Sequence, residues 1–117
     1  MLLIHYPKCT TCQKAKRWLD ERTLLYAERH IRQQPPTLEE LRGWHTASGL
    51  PLKRFFNTSG VLYKEWGLKD RLPRMSEDEQ LALLATDGML VKRPILVGPD
   101  FVLVGFREPE WEAALEK

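Results

Sequence analysis

The feature that most constrains this chain is the junction over residues 2–16. There an apolar run, Leu2-Leu3-Ile4, passes through His5-Tyr6-Pro7-Lys8 into Cys9-Thr10-Thr11-Cys12. The run reads as a buried strand. Beyond it, Ala15, Trp18 and Leu19 recur at the i, i+3, i+4 spacing of one helix face. Two cysteines therefore stand where a strand hands over to a helix. The first free N–H groups of that helix point at Cys9, and together with the helix dipole they favour a thiolate there. Cys12 lies about one turn on, close to the same face, so a disulfide between the two is within geometric reach. Thr10 or Thr11 is expected to cap the helix. Lys8, Lys14 and Lys16 add positive charge. The chemistry suggested is a reactive thiol with a resolving partner. Two other readings use the same residues. A zinc site needs four ligands, whereas His5, His30 and His45 are scattered. Two ordinary buried thiols would pack as small hydrophobes, which leaves their place at a helix start unexplained.

The chain has 117 residues, enough for one domain with one core, and is read as a single domain over 1–117. Hydrophobic residues make up 43% and charged residues 29%, the balance of a globular protein in water. A net charge of +2 is too small to imply nucleic acid or an anionic membrane. Two cysteines do not make a secreted disulfide framework, and Met-Leu-Leu-Ile is too short for a signal segment. No stretch approaches the roughly 20 apolar residues of a membrane span. The expectation is a cytoplasmic protein with no resident metal or cofactor.

Strand 2–6 and helix 10–22 are followed by a second strand within Leu24–Ile31, its two faces read as Tyr26, Glu28, His30 and Leu25, Ala27, Arg29, Ile31. Strand, helix and strand in some 30 residues predict a βαβ unit with parallel strands. Residues 35–88 read as an all-helical insertion. Thr37 with Glu40, and Ser76 with Glu79, have the spacing of capping boxes. Leu38, Leu41 and either Trp44 or His45 are assigned to the first inserted helix's inner stripe; His45 is read as a packing or surface residue. Gly49, Gly67 and Asp87-Gly88 are read as stops. Ile95–Val97 and Phe101–Gly105 predict an antiparallel hairpin. Pro94 at the start of that hairpin cannot donate to a ladder, and its position suits a cis bond. A last helix opens with acids near Glu108.

The order β-α-β, helices, β-β-α is the thioredoxin-like layout: an α/β fold with a four-stranded mixed sheet. The sequence also resembles the ArsC/Spx family, which contains glutaredoxin-coupled arsenate reductases and Spx transcriptional regulators. The matching pieces are Tyr6 to Ala15, Phe56-Asn57-Thr58-Ser59-Gly60 with Tyr63-Lys64-Glu65, Met89 to Leu96, and Val104 to Glu108. They lie in the family's order across nearly the whole chain.

The resemblance implies roles. Cys9 matches the nucleophile that attacks an oxyanion. Arg93, just before the proline, and Arg107 match anion-binding arginines, whose planar forks would neutralise repulsion between thiolate and oxyanion. His5, four residues before Cys9, matches a histidine that could favour the thiolate. The plain alternatives are a half-buried strand residue for His5 and structural salt bridges for the arginines. Two positions depart from the reductases. Asn57 stands where they carry a further arginine; it can donate hydrogen bonds to an anion but brings no charge. Cys12 stands where they usually have no cysteine, and could resolve an intermediate internally. The Cys-x-x-Cys pair is closer to Spx. The resemblance thus implies an oxidoreductase acting on a small oxyanion or thiol substrate, with glutathione, glutaredoxin or thioredoxin as electron donor. Its alternative is a redox-sensing regulator that binds RNA polymerase.

Overall fold

The computed structural model describes residues 1–116. The apolar run becomes β1 (Leu2–His5), and the amphipathic stretch after the cysteines becomes α1 (Thr10–Glu21). The chain returns as β2 (Ala27–His30), parallel to β1 with Leu2 opposite Ala27 and His5 opposite His30. After the helices come β3 (Ile95–Val97) and β4 (Val102–Val104), an antiparallel hairpin whose first strand also runs antiparallel to β1. The sheet order is β2-β1-β3-β4, so the strand that leads to Cys9 is central. This is the four-stranded mixed sheet of the thioredoxin-like layout.

Alternation across the sheet sorts the core into two layers. Leu3 and Leu96 face one side, where they pack with Ala15, Trp18 and Leu19 of α1 and with Trp111 of α6 (Glu108–Leu115). Trp111 is fully buried, and its ring lies edge-on to Phe106 at 4.9 Å and to Trp18 at 5.9 Å. Ile4 and Ile95 face the other side, against the helical segment: α2 (Leu38–Ser48), α3 (Val61–Glu65), α4 (Leu68–Arg71) and α5 (Glu77–Leu84). Leu41, Phe55, Leu68, Leu81 and Leu84 are its buried anchors. Each such side chain contributes roughly 1.5–3 kcal/mol by leaving water. Both capping boxes form, Thr37 with Glu40 and Ser76 with Glu79. Ion pairs from Arg42 to Asp78 at 2.7 Å and from His45 to Glu77 at 3.0 Å tie α2 to α5.

Local expectations change at β2 and in the first turn of α2. The strand expected within residues 24–31 is only four residues long, and its face assignment fails: Ala27 and Glu28 are both exposed, Arg29 and His30 both half-buried. β2 is an edge strand, and Arg29 leaves it to pair with Glu40 at 2.6 Å. Leu38 of the proposed inner stripe is exposed, because in the first turn of α2 only Leu41 reaches the core. Gly67 stops the chain after α3, as read, and its φ of +60° starts α4 afresh at Leu68. The loop at Leu72-Pro73-Arg74 is a 3-10 turn, with Pro73 in its first turn. The Arg93–Pro94 peptide bond is cis.

Candidate functional site

Three chain segments meet at one edge of the sheet. β1 ends there, β2 ends there because it runs parallel, and β3 begins there because it runs antiparallel. Open sheets bind ligands outside such strand ends. The edge holds a cleft of about 530 Å³. Cys9 and Thr11 line it from the start of α1, and Arg32 from just past β2. Lys92 and Arg93 line it from just before β3, and Asn57, Ser59 and Gly60 from the loop before α3. Val61, Leu62 and Met89 supply an apolar wall.

The helix cap differs from the expected threonine. Cys9 itself is the N-cap, in an extended conformation, and its sulfur accepts the backbone N–H of Cys12 at 3.4 Å. Threonine oxygen is the commoner cap, but here the position one residue earlier has the required backbone angles. The turn is held by Cys9 N–H donating to Tyr6 carbonyl at 3.0 Å and by Gln13 Nε2 donating to Pro7 carbonyl at 2.8 Å.

The two thiols have opposite electrostatics. Burial of Cys9 works against its thiolate. Hydrogen bonds from the Cys12 thiol and backbone N–H, and then the Arg93 guanidinium, outweigh it and hold Cys9 below the usual thiol range. Cys12 is 1% exposed, and burial first, then its interaction with Cys9, pushes its thiol up to about 12. The two cysteines are not disulfide-bonded. Cys9 is thus half-buried with its thiolate favoured, and Cys12 is a buried neighbour in the first turn of α1 that stays protonated.

Arg93 lies with its guanidinium 5.2 Å from the Tyr6 ring centroid, a cation–π geometry. Its Nε and Nη1 are buried and have no hydrogen-bond partner among the described residues. Among the described residues, no carboxylate lines the cleft. Arg32, Lys92 and Arg93 form no ion pair among the described residues, whereas Lys16, Arg22, Arg29, Arg42 and Arg54 each do. Uncompensated cations around a thiol are an arrangement for an anion. Asn57 is fixed by its backbone N–H to Leu90 carbonyl at 2.7 Å, and its amide lies close over Gly60. A Cβ at Gly60 would come within 2.7 Å of Asn57 Nδ2, so the absence of a side chain there lets the amide sit at the cleft.

Cys9, Asn57 and Arg93 are therefore brought together, with Cys12 behind Cys9. Arg107 and His5 are not cleft residues. Arg107 is exposed and lines a neighbouring crevice of about 140 Å³, which shares Thr11 and Lys92 with the Cys9 cleft. His5 is 7% exposed, and its Nε2 meets Glu28 at 3.1 Å on the face covered by α1; Lys16 meets the same carboxylate oxygen at 2.7 Å. Burial, only partly opposed by Glu28, holds His5 below its usual value, which favours a neutral ring at pH 7. Arg32 and Lys92 are the cleft residues the sequence reading passed over. Lys92 adjoins Arg93, and Arg32 directly follows the strand that must end beside β1. That βαβ geometry is the signal that could have found it. Among the described residues, no group of three or more His, Cys, Asp or Glu is placed to hold a metal ion. No described helix is long and apolar enough to cross a membrane.

Comparison with known proteins agrees with this architecture. The chain is 56% identical over 107 residues to the uncharacterized protein YusI of Bacillus subtilis (strain 168), covering 92% of this chain and 91% of that one. It is 31% identical to the regulatory protein MgsR of the same organism, covering 90% of this chain and 82% of that one. Among solved structures, an ArsC family related protein from Bacteroides fragilis superposes with a TM-score of 0.94 at 58% identity, covering 96% and 94% of the two chains. A protein of Streptococcus mutans described as "a possible arsenate reductase" does so with a TM-score of 0.86 at 44% identity, covering 95% and 96%. The ArsC family profile matches residues 4–114, and on that match, with the fold and these relatives, the chain belongs to the ArsC family.

Proposed function

We propose that this protein is a thiol-dependent oxidoreductase acting on a small anionic substrate, an oxyanion or an acidic disulfide. The observation that carries the reading is the asymmetry of the two thiols. Cys9 faces a cationic cleft with its thiol held low, while Cys12 lies buried beside it with its thiol pushed up to about 12. In a disulfide reaction the Cys9 thiolate attacks one sulfur, forming a mixed disulfide and releasing the other half as a thiolate. Loss of the Cys9 charge removes one of the influences that raise Cys12, so Cys12 gives up its proton more readily at that stage. Its sulfur then displaces the second thiolate and closes the Cys9–Cys12 disulfide. Two electrons have passed from protein to substrate. A thiol donor such as glutathione, or a dithiol protein such as glutaredoxin or thioredoxin, returns them. Arg93 and Lys92 offset the charge of an incoming anion, Asn57 offers a neutral donor, and Arg107 stands at the adjoining crevice, within reach of a substrate that extends past Thr11.

The test is intact-mass analysis of the reduced protein mixed with oxidised glutathione. The wild type should pass to an internal disulfide. Cys12→Ser should stop at one glutathione adduct, and Cys9→Ser should form none. An adduct on Cys9→Ser, or no adduct on Cys12→Ser, overturns the scheme.

The likeness to the regulatory protein MgsR favours a second reading, a redox-sensing regulator whose Cys9–Cys12 disulfide alters affinity for RNA polymerase. Retention of purified polymerase by the oxidised form alone would support it. Equal retention, or none, in both redox states counts against it.

A further inference from the structure

We infer that Arg32 is a second anion anchor of the cleft, and that the ligand it selects is a low-molecular-weight thiol compound with acidic groups at both ends. This deepens the oxidoreductase reading and takes its acidic-disulfide branch.

Three observations lead there. The first is spacing. Arg32 follows β2 and Arg93 precedes β3, while Cys9 follows β1, the strand between them. Two inter-strand steps separate the flanking strand ends by about 10 Å. The two arginines thus stem from chain on opposite sides of the segment that carries the thiol, and both line its cleft. Arginines rooted that far apart suit a short peptide-like thiol with a carboxylate at each end and its sulfur in the middle. The second is volume. About 530 Å³ lies within the range of sites that enclose organic molecules rather than bare inorganic ions. The apolar wall of Val61, Leu62 and Met89 gives such a molecule something to lie against. The third is unspent charge. Arg32 is exposed and forms no ion pair among the described residues, yet its backbone is pinned. The N–H groups of Arg32 and Gln33 both donate to His30 Nδ1 at 3.2 Å, which fixes where the side chain starts. Arg93 carries the buried, unpartnered Nε and Nη1 at the other end.

The reaction with such a ligand is balanced as above. Cys9 attacks the disulfide RS–SR, the Cys9–SR bond forms as RS⁻ leaves, and Cys12 then expels the second RS⁻. Arg32 touches a remote acid group and no reacting atom, so it acts on affinity.

Two measurements test the inference. In single-turnover oxidation, pre-reduced protein is mixed with oxidised glutathione, whose halves are diacids, or with bis(2-hydroxyethyl) disulfide, which is uncharged. Arg32→Ala should raise the half-saturating concentration for oxidised glutathione roughly tenfold or more, as expected for loss of a charge-assisted contact. The shift for the uncharged disulfide should be several-fold smaller, and Arg32→Lys should recover part of the loss. Equal shifts for both disulfides, or none for oxidised glutathione, overturn it. The second measurement needs no turnover. S-methylglutathione, a diacid that cannot react, should slow alkylation of Cys9 in the wild type and fail to do so in Arg32→Ala. Protection that is absent, or indifferent to Arg32, overturns the anchor. Arg32-dependent protection without any disulfide reduction would sink the oxidoreductase reading while leaving the anchor in place.

Discussion

Selective alkylation of the two cysteines is the most direct check on the electrostatics of the site. The thiolate is the form that reacts. With Cys12 pushed up to about 12, its thiolate fraction at pH 7 is about one in 10⁵. That is about a thousandfold below an ordinary thiol at 9.0. Cys9 lies on the other side of the ordinary value, so the ratio of thiolate fractions between the two sites exceeds about 10³. Burial of Cys12 adds a steric barrier in the same direction. The more basic thiolate is also the stronger nucleophile, which offsets about half of the difference in thiolate fraction on a logarithmic scale. Iodoacetamide at pH 7, followed by peptide-level mass spectrometry, should therefore label Cys9 at least about 30 times faster than Cys12 in the native protein. Labelling Cys9 could itself disturb its neighbour, so Cys12 is best measured alone in Cys9→Ser. That variant removes the influence of Cys9, but burial is the larger cause and remains, so Cys12 should stay slow until the protein unfolds. Cys9 labelling in Cys12→Ala should reach its plateau at a higher pH than in the wild type, because the side-chain hydrogen-bond donor to the thiolate is gone. Rates for the two native cysteines within tenfold of each other would refute the reasoning.

Other perturbations read other parts of the structure. Arg29 holds Glu40 down to about 2, against an ordinary 4.5, so the folded state binds this proton more weakly than the unfolded one. The stabilisation is present above the unfolded value and disappears as pH falls from about 4.5 towards 2. The pair is partly solvated, which reduces its worth to about 1–2 kcal/mol. Urea unfolding should show that loss in the wild type, and Glu40→Gln should flatten this part of the profile; an unchanged profile in the variant removes the assignment. Gly88→Ala puts a Cβ 2.1 Å from the Ile31 carbonyl oxygen, a backbone atom that cannot turn aside. It should cost about 2–4 kcal/mol in chemical denaturation, at or beyond the upper end of overpacking; a loss below about 0.5 kcal/mol would mean the two segments separate freely. Asn57→Arg restores a charged donor at the cleft. It should raise arsenate-dependent NADPH oxidation, in a coupled assay with glutathione, glutaredoxin and glutathione reductase, roughly tenfold or more. No gain would show that charge at this position does not limit oxyanion use.

What could be read from the sequence follows physical range. Thr37 with Glu40, and Ser76 with Glu79, satisfy their own backbone within one turn, so spacing alone predicts them. Leu3 and Ile4 are buried on both faces of a central strand, and such a run is legible as apolar whatever packs on it. The faces of β2 were not legible, because an edge strand is ordered by partners such as Glu40 rather than by its own alternation. At the site, Cys9 and Cys12 announced themselves by residue type and place. Arg32 and Lys92 did not, since a loop cation carries no periodicity and its meaning depends on which strand ends lie beside it. Arg107 shows the converse. Its motif matched a family position, yet its place in a neighbouring crevice depends on the turn at Gly105, whose φ is +73°.

The contact between His5 and Glu28 has a consequence for how the site keeps its shape. A strand reading Leu-Leu-Ile, wanted by apolar layers above and below, has little to say about phase: slid by one residue, it would still bury three aliphatic side chains. His5 breaks that degeneracy. In the observed alignment its Nε2 meets Glu28 diagonally across β2, and Lys16 of α1 closes on the same carboxylate. A slip would turn the imidazole to the opposite face, among Ile4, Ile31 and Ile95, and leave the carboxylate with one partner. The buried histidine thus acts as an index pin for the sheet. The distance it fixes is the one along the strand axis between Cys9, just past β1, and Arg32, just past β2.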